Sequence, residues 1–151
     1  MQLSEVFRSL GRPALDELVR SISLGTLKTY QMFDQFKLRA RLNKLNSEHL
    51  RNAAPRLWER LVERDEELAR DLAQAILVSN ISFIVEALDF LKIPHDGAGF
   101  FQKGLSTEQY LADGWQQRLM DEFRGKRSEA LVRLYINHLI WEMNKQSEIW
   151  Q

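Results

Sequence analysis

The sequence predicts an all-α protein: a single domain over residues 1–151, built as a bundle or array of about six or seven helices around two central apolar helices. Two observations support this prediction. Strand signals are nearly absent, because no segment sustains an alternation of apolar and polar residues and no hairpin dipeptide joins β-branched runs. Proline and glycine instead separate long stretches whose apolar residues recur at helical spacing.

Three helices are predicted in the first third of the chain, over residues 3–10, 13–23 and 26–45. The third has apolar residues on more than one face, so we expect it to contact neighbours on several sides. Ser47 is a suitable cap for a short following helix, which Pro55 is expected to interrupt and restart.

Two segments, residues 73–91 and 129–143, are apolar on nearly all sides and predict the central helices of the core. Asp65 is a candidate kink or new cap ahead of the first. The last helix is predicted to run from residue 128 to residue 150. Because the central helices need more cover than the shorter ones supply, we expect a homodimer, whose interface would resemble a core cut in half.

The composition excludes several classes of protein. The chain has 21 basic and 21 acidic residues, so a strong general attraction to nucleic acid or to an anionic membrane is not expected. It has no cysteine, which removes disulfides and thiolate ligands and fits a reducing compartment. The charge-free run over residues 72–85 would span about 21 Å as a helix, short of a bilayer core of about 30 Å. With no signal-peptide pattern at the N-terminus, we expect a cytoplasmic protein that does not enter a membrane.

Polar residues on the two central helices form the first candidate site. His138 and Glu142 lie one helical turn apart and project from one face. If the central helices pack together, these side chains and their neighbours would line a small polar pocket, and a carboxylate beside an imidazole suits proton transfer or metal binding. The alternative is structural, with the imidazole bonding the carboxylate and the asparagines bonding backbone carbonyls. The residues of this candidate pocket are Asn80, Glu86, Asn137, His138 and Glu142.

Metal-binding patterns are absent from the sequence. The three histidines, His49, His95 and His138, fall on separate predicted elements. The chain has neither an HExxH motif nor the paired Glu-x-x-His motifs of di-iron bundles. We therefore expect no metal and no cofactor.

A helix–turn–helix pattern over residues 15–36 provides the second candidate, a DNA-binding surface. Its SLGTLKTY stretch resembles the recognition-helix region of TetR-type repressors, in which Gly-Thr-Leu opens the reading helix, and the resemblance covers about twenty residues. The turn is one residue short, and Tyr30 and Phe33 make the reading helix more apolar than a groove-facing helix should be. A basic stretch, KLRARLNK, follows and suits phosphate contacts. The DNA contacts that this interpretation implies are Thr26, Lys28, Thr29, Lys37, Arg39 and Arg41.

No motif identifies a substrate, so three interpretations remain, in order of preference. The first is a non-enzymatic helical interaction module that forms a homodimer and has a small apolar ligand pocket between helices. The second is a DNA-binding transcriptional regulator that uses residues 15–36, which would make nucleic acid a partner. The third is a small helical metalloprotein or enzyme centred on Glu86, His138 and Glu142.

Overall fold

A computed structural model describes residues 2–29, 47–98, 108–143 and 148–151. Every regular element in these ranges is helical, which confirms the predicted all-α class. There are eight α-helices in the described residues and a 3₁₀ turn, Glu108–Tyr110. In chain order the α-helices are α1 (Leu3–Leu10), α2 (Arg12–Arg20), α3 (Leu24–Thr29), α4 (Ser47–Val62), α5 (Glu66–Ser79), α6 (Ile81–Phe90), α7 (Trp115–Phe123) and α8 (Glu129–Met143).

The short helix α1 lies at the centre of the packing, where it contacts α2, α4, α5 and α8. Its residues Leu3, Val6 and Phe7 fall on one face at helical spacing, and all three are buried. Residues 73–91 and 129–143 were predicted to be central, and most of their apolar side chains are indeed buried. Helix α1 is central as well, because its apolar face fills the space between α5 and α8.

A carboxylate on α5 holds the start of α1. Ser4 has no exposed surface, so its polar groups need partners inside the protein. Glu66 accepts the main-chain N–H of Ser4 at 3.0 Å and its hydroxyl as well. This carboxylate satisfies one of the N–H groups that a helix leaves unpaired at its first turn, and its negative charge suits the positive end of the helix dipole.

Asp65 caps α5, as its place in the sequence predicts. Its Oδ1 accepts the N–H of Leu68 at 3.0 Å, and its Oδ2 lies 2.9 Å from the guanidinium of Arg60 on α4. The hydrogen bond from Leu68, with a smaller contribution from Arg60, lowers the pKa of Asp65 below its ordinary 3.8. The cap therefore also fixes the turn between α4 and α5.

The prediction of one continuous central helix over residues 73–91 was wrong. Helix α5 ends at Ser79, α6 begins at Ile81, and the two are bent by 81°. Asn80, between them, has φ −122° and ψ 37°, outside the helical region. Its side-chain amide donates to the carbonyl of Ile76 at 2.7 Å. In a continuous helix that carbonyl would bond the main-chain N–H of residue 80, so the side chain competes with the helix and ends it.

The expectation that Pro55 interrupts a helix was also wrong, because α4 continues through it. Proline lacks the N–H that would bond the carbonyl of Arg51, four residues earlier. Both residues are exposed, so water can satisfy that carbonyl. The last helix was predicted to reach residue 150, but residues 148–151 are not helical, and the described part of α8 is Glu129–Met143.

No single helix in the described ranges is long and apolar enough to cross a membrane. Helices α5 and α6 together reach the required length and composition, but only as a pair bent by 81°.

We expect Asp65→Ala to lower the free energy of unfolding by about 1 kcal/mol, because it removes the cap. Asp65→Asn should cost less, since an asparagine oxygen also accepts the Leu68 N–H. A lowered folded-state pKa means that the ionised Asp65 stabilises the protein above its ordinary pKa of 3.8, and that this contribution is lost as the pH falls below that value. Urea unfolding of the three proteins should therefore show the advantage of wild type over Asp65→Asn shrinking in acid, while the difference between the two variants, neither of which ionises at this position, stays constant. An advantage of wild type over Asp65→Asn that does not change with pH would contradict this account.

Glu66→Ala should lower the free energy of unfolding by about 1–3 kcal/mol, because it leaves the buried hydroxyl and N–H of Ser4 without their partner. Glu67→Ala is the matched control, since Glu67 is the exposed neighbour in the same helical turn, and its loss should stay within about 0.5 kcal/mol. Denaturant titration measures both. The double variant Ser4→Ala/Glu66→Ala should be less destabilised than the sum of the single changes, and full additivity would contradict the bond.

Candidate functional site

A cavity of about 330 Å³ lies between α5, α6 and α8. This volume is at the lower end of the range for small-molecule sites, about 300–1,000 Å³. Its walls are mostly aliphatic and aromatic, and its few polar groups come from α5 and α8. The aliphatic walls are formed by Leu3, Leu77, Val78, Ile81, Ile84 and Ala98, and the remaining lining residues are Arg70, Gln74, Tyr135, His138, Trp141 and Glu142.

One wall of the cavity spans the bend at Asn80. Leu77 and Val78 lie in the last turn of α5, and Ile81 and Ile84 lie in the first turn of α6. All four line the cavity, so this wall is formed from both sides of the 81° corner. The opposite wall is a single face of α8, since residues three and seven positions apart lie above one another on a helix.

Tyr135, on that face of α8, is held by aromatic packing. Its ring meets Phe83 of α6 edge to face at 5.6 Å between centroids, and Phe83 meets Phe123 of α7 in the same way at 5.0 Å. Burial, and to a smaller extent the charge of Glu142, raises the pKa of Tyr135 above its ordinary 10.0. The phenol therefore stays protonated and supplies a neutral hydroxyl to the cavity.

His138 and Glu142 provide the other polar groups on α8. The distance from His138 Nδ1 to Glu142 Oε1 is 3.7 Å, within ion-pair range but too long for a hydrogen bond. Within the described part of the chain, this buried Nδ1 has no hydrogen-bond partner. Burial lowers the pKa of His138 to about 4 and raises that of Glu142. The imidazole is therefore uncharged at neutral pH. One of its nitrogens can donate a hydrogen bond to a nearby polar group and the other can accept one.

Two of the predicted pocket residues lie elsewhere. Asn80 sits at the corner between α5 and α6, where its amide bonds Ile76 and also donates to the hydroxyl of Ser21 at 3.1 Å. Glu86 accepts a hydrogen bond from Arg127 at 2.9 Å on the surface. Neither side chain lines the cavity.

Asn137 is buried and bonds the main chain of Arg133 and Trp150. Of the five residues predicted to form a polar pocket, the structure therefore brings together His138 and Glu142, and it gives the other three separate partners. The helical spacing of i and i+4 was enough to find this pair. It could not show that Glu86, two residues after the cavity-lining Ile84, projects from another side of α6 and pairs with Arg127.

The cavity includes residues that the sequence did not single out. Arg70 and Gln74 lie on one face of α5, one turn apart, and that face continues to Leu77 and Val78. The sequence shows that this face changes from polar to apolar along the helix. It does not show that the face lines a cavity, because that depends on where α8 lies.

The residues predicted to contact DNA are only partly within the described ranges. Thr26 is buried, and its hydroxyl lies 2.7 Å from that of Ser23 and accepts from that of Ser79 at 3.1 Å. Ser23 in turn caps α3 by accepting the N–H of Thr26. The Thr26 hydroxyl thus serves the packing of α3 on α5. Lys28 and Thr29 end α3, with side chains outside the described part, and Lys37, Arg39 and Arg41 lie outside the described residues.

No group of three or more histidine, aspartate or glutamate side chains that could hold a metal ion occurs in the ranges that the structure describes. No family model, curated protein or solved structure matches the chain. The geometry of the cavity therefore carries the functional argument.

We expect the free energy of unfolding to fall between about pH 7 and pH 5 because of His138. The variant His138→Leu should not show this loss. The pKa of His138 is about 4 when folded, below its ordinary 6.5, so the unfolded chain binds the proton first as the pH falls. This difference removes about 2 kcal/mol at pH 5 relative to pH 7. Urea unfolding at the two pH values measures it. The comparison is made between Glu142→Gln and Glu142→Gln/His138→Leu. The raised pKa of Glu142 would otherwise increase the stability as the pH falls and offset the loss due to His138. Equal losses in the two proteins would show that His138 is not buried in its neutral form.

Proposed function

We propose that this chain is a non-enzymatic binding module that holds a small, largely apolar molecule in the cavity between α5, α6 and α8. The observation that carries the proposal is the cavity itself, about 330 Å³ with walls that are mostly aliphatic and aromatic and with a few polar groups on two helices. This combination is typical of small-molecule sites, in which apolar walls supply affinity and a few polar groups fix orientation.

The polar groups of the cavity favour a ligand with a neutral, hydrogen-bonding end. Arg70 and Glu142 carry opposite charges, so the lining has no formal excess of either sign. Tyr135 and His138 supply a phenol hydroxyl and a neutral imidazole. A hydroxyl, carbonyl or amide group could exchange hydrogen bonds with these two residues while the rest of the molecule contacts the aliphatic wall.

Binding is better supported than catalysis by the same residues. An efficient general acid or base has a pKa near the working pH. His138, with a pKa of about 4, is far from that condition at neutral pH. Glu86, the third member of the group that the enzyme interpretation requires, pairs with Arg127 instead. The DNA-binding interpretation gains no support from Thr26, whose hydroxyl is used within the fold.

Wild-type protein should bind the neutral apolar dye N-phenyl-1-naphthylamine with one saturable site, and Val78→Phe should weaken this binding by about tenfold or more by filling the cavity. Val62→Phe is the matched control, because it makes the same change on α4 at a valine that is 51% exposed and does not line the cavity. Fluorescence titration measures both, and thermal melts confirm that both variants are folded. Equal binding by all three proteins, or a signal that does not saturate, would exclude the cavity as a binding site.

A further inference from the structure

Residues 148–151 return to the helical core and are held there by one buried side chain. The Oδ1 atom of Asn137 accepts the main-chain N–H of Trp150 at 2.8 Å, and its Nδ2 donates to the main-chain carbonyl of Trp150 at 3.2 Å. Asn137 has no exposed surface. The amide of Asn137 therefore pairs with the peptide groups of Trp150 much as a neighbouring strand would.

The orientation of Asn137 is set before the segment binds. Its Nδ2 also donates to the main-chain carbonyl of Arg133, one turn earlier in α8, at 2.9 Å. This bond leaves the Oδ1 atom and one N–H free to bind Trp150. Without the segment, both groups would lack these partners and would have to bond water instead. Helix α8 thus presents an acceptor and a donor to the main chain of Trp150.

With the described part of the chain, the segment makes few other contacts. Ile149 and Trp150 are only partly buried against the core. Gln151 reaches the hydroxyl of Ser9, at the end of α1, at 3.5 Å, the outer limit for a hydrogen bond. Glu148 and Gln151 are exposed. A segment held by one amide and two half-buried side chains can leave its site without disrupting the helices beneath it.

We propose that this site, defined by Asn137 on α8 and Ser9 on α1, also accepts residues 148–151 of a second copy of the chain, so that two copies exchange their segments and form a symmetric dimer. The contacts are the same whether the segment comes from its own chain or from another. Asn137 bonds only main-chain groups of Trp150, and a second copy carries the same Ile149, Trp150 and Gln151 side chains. Exchange of an identical element is a route to dimers that needs no new interface. It gives the homodimer expected from the sequence a specific contact, and it does not depend on the cavity.

The absence of cysteine from the chain allows a direct test. One preparation carries Ser9→Cys and a second carries Gln151→Cys. Both positions are exposed, and the two side chains lie close together when the segment is bound. The two preparations are mixed and treated with a short bis-maleimide, and products are separated by mass. A chain with both changes shows first that the linker spans the site.

The expected result is a product at twice the chain mass of 17.8 kDa, in which the linker joins position 9 of one chain to position 151 of another. Its yield should be several-fold higher than that from a mixture of Ser9→Cys and Val62→Cys chains, which measures chance collisions at an exposed site on α4. A yield no higher than in this control would overturn the proposal, since the segment would then bind only within its own chain.

A pair of substitutions tests the role of the main chain. Trp150→Phe in the Gln151→Cys chain keeps the N–H that Asn137 accepts, and the cross-linked yield should be largely preserved. Trp150→Pro removes that N–H, and the yield should fall to the level of the collision control. Undiminished cross-linking by Trp150→Pro would overturn the assigned contact. Both changes lie outside the helices, so neither depends on refolding of the core.

Discussion

Asn80 donates from its side-chain amide to the carbonyl of Ile76, a carbonyl that an uninterrupted helix would bond to the main-chain N–H of residue 80. This single bond ends α5, and α6 then leaves at 81°. The cavity lies against this corner. Leu77 before the corner and Ile84 after it both line the cavity, and Phe83, three residues past the corner, packs against the ring of Tyr135.

The buried polar groups near the centre fall into two kinds. Ser4 and Asn137 are fully buried and each has a partner from a distant part of the chain, Glu66 and Trp150 respectively. Such groups position one segment on another, because their bonds are satisfied only in the assembled protein. His138 differs: its Nδ1 has no hydrogen-bond partner in the described residues, and its ring borders an open space. That contrast is one reason for proposing that the cavity, and not the surroundings of Ser4, holds a ligand.

Local signals in the sequence were reliable where one short stretch decides the outcome. The range of α1, the cap at Asp65 and the neighbouring positions of His138 and Glu142 depend on residues within about one helical turn. The bend at Asn80 was missed because the apolar periodicity continues across it, so the residue looked like one more helical position. The convergence of His138 with Glu86 could not be judged either, since it depends on how two helices cross, and that angle is a property of the whole core.

The central position of α1 also has a consequence for how the chain acquires its structure. Helix α1 precedes all of its partners along the chain, and the last of them, α8, follows after most of the described residues. During synthesis the apolar face of α1 stays partly uncovered until α8 emerges, because α8 is one of the four helices that pack against α1. Long-range contacts of this kind slow folding, since the intervening chain must be ordered before they form. A nascent chain arrested before α8 would therefore leave part of the apolar face formed by Leu3, Val6 and Phe7 accessible to chaperones or to neighbouring chains.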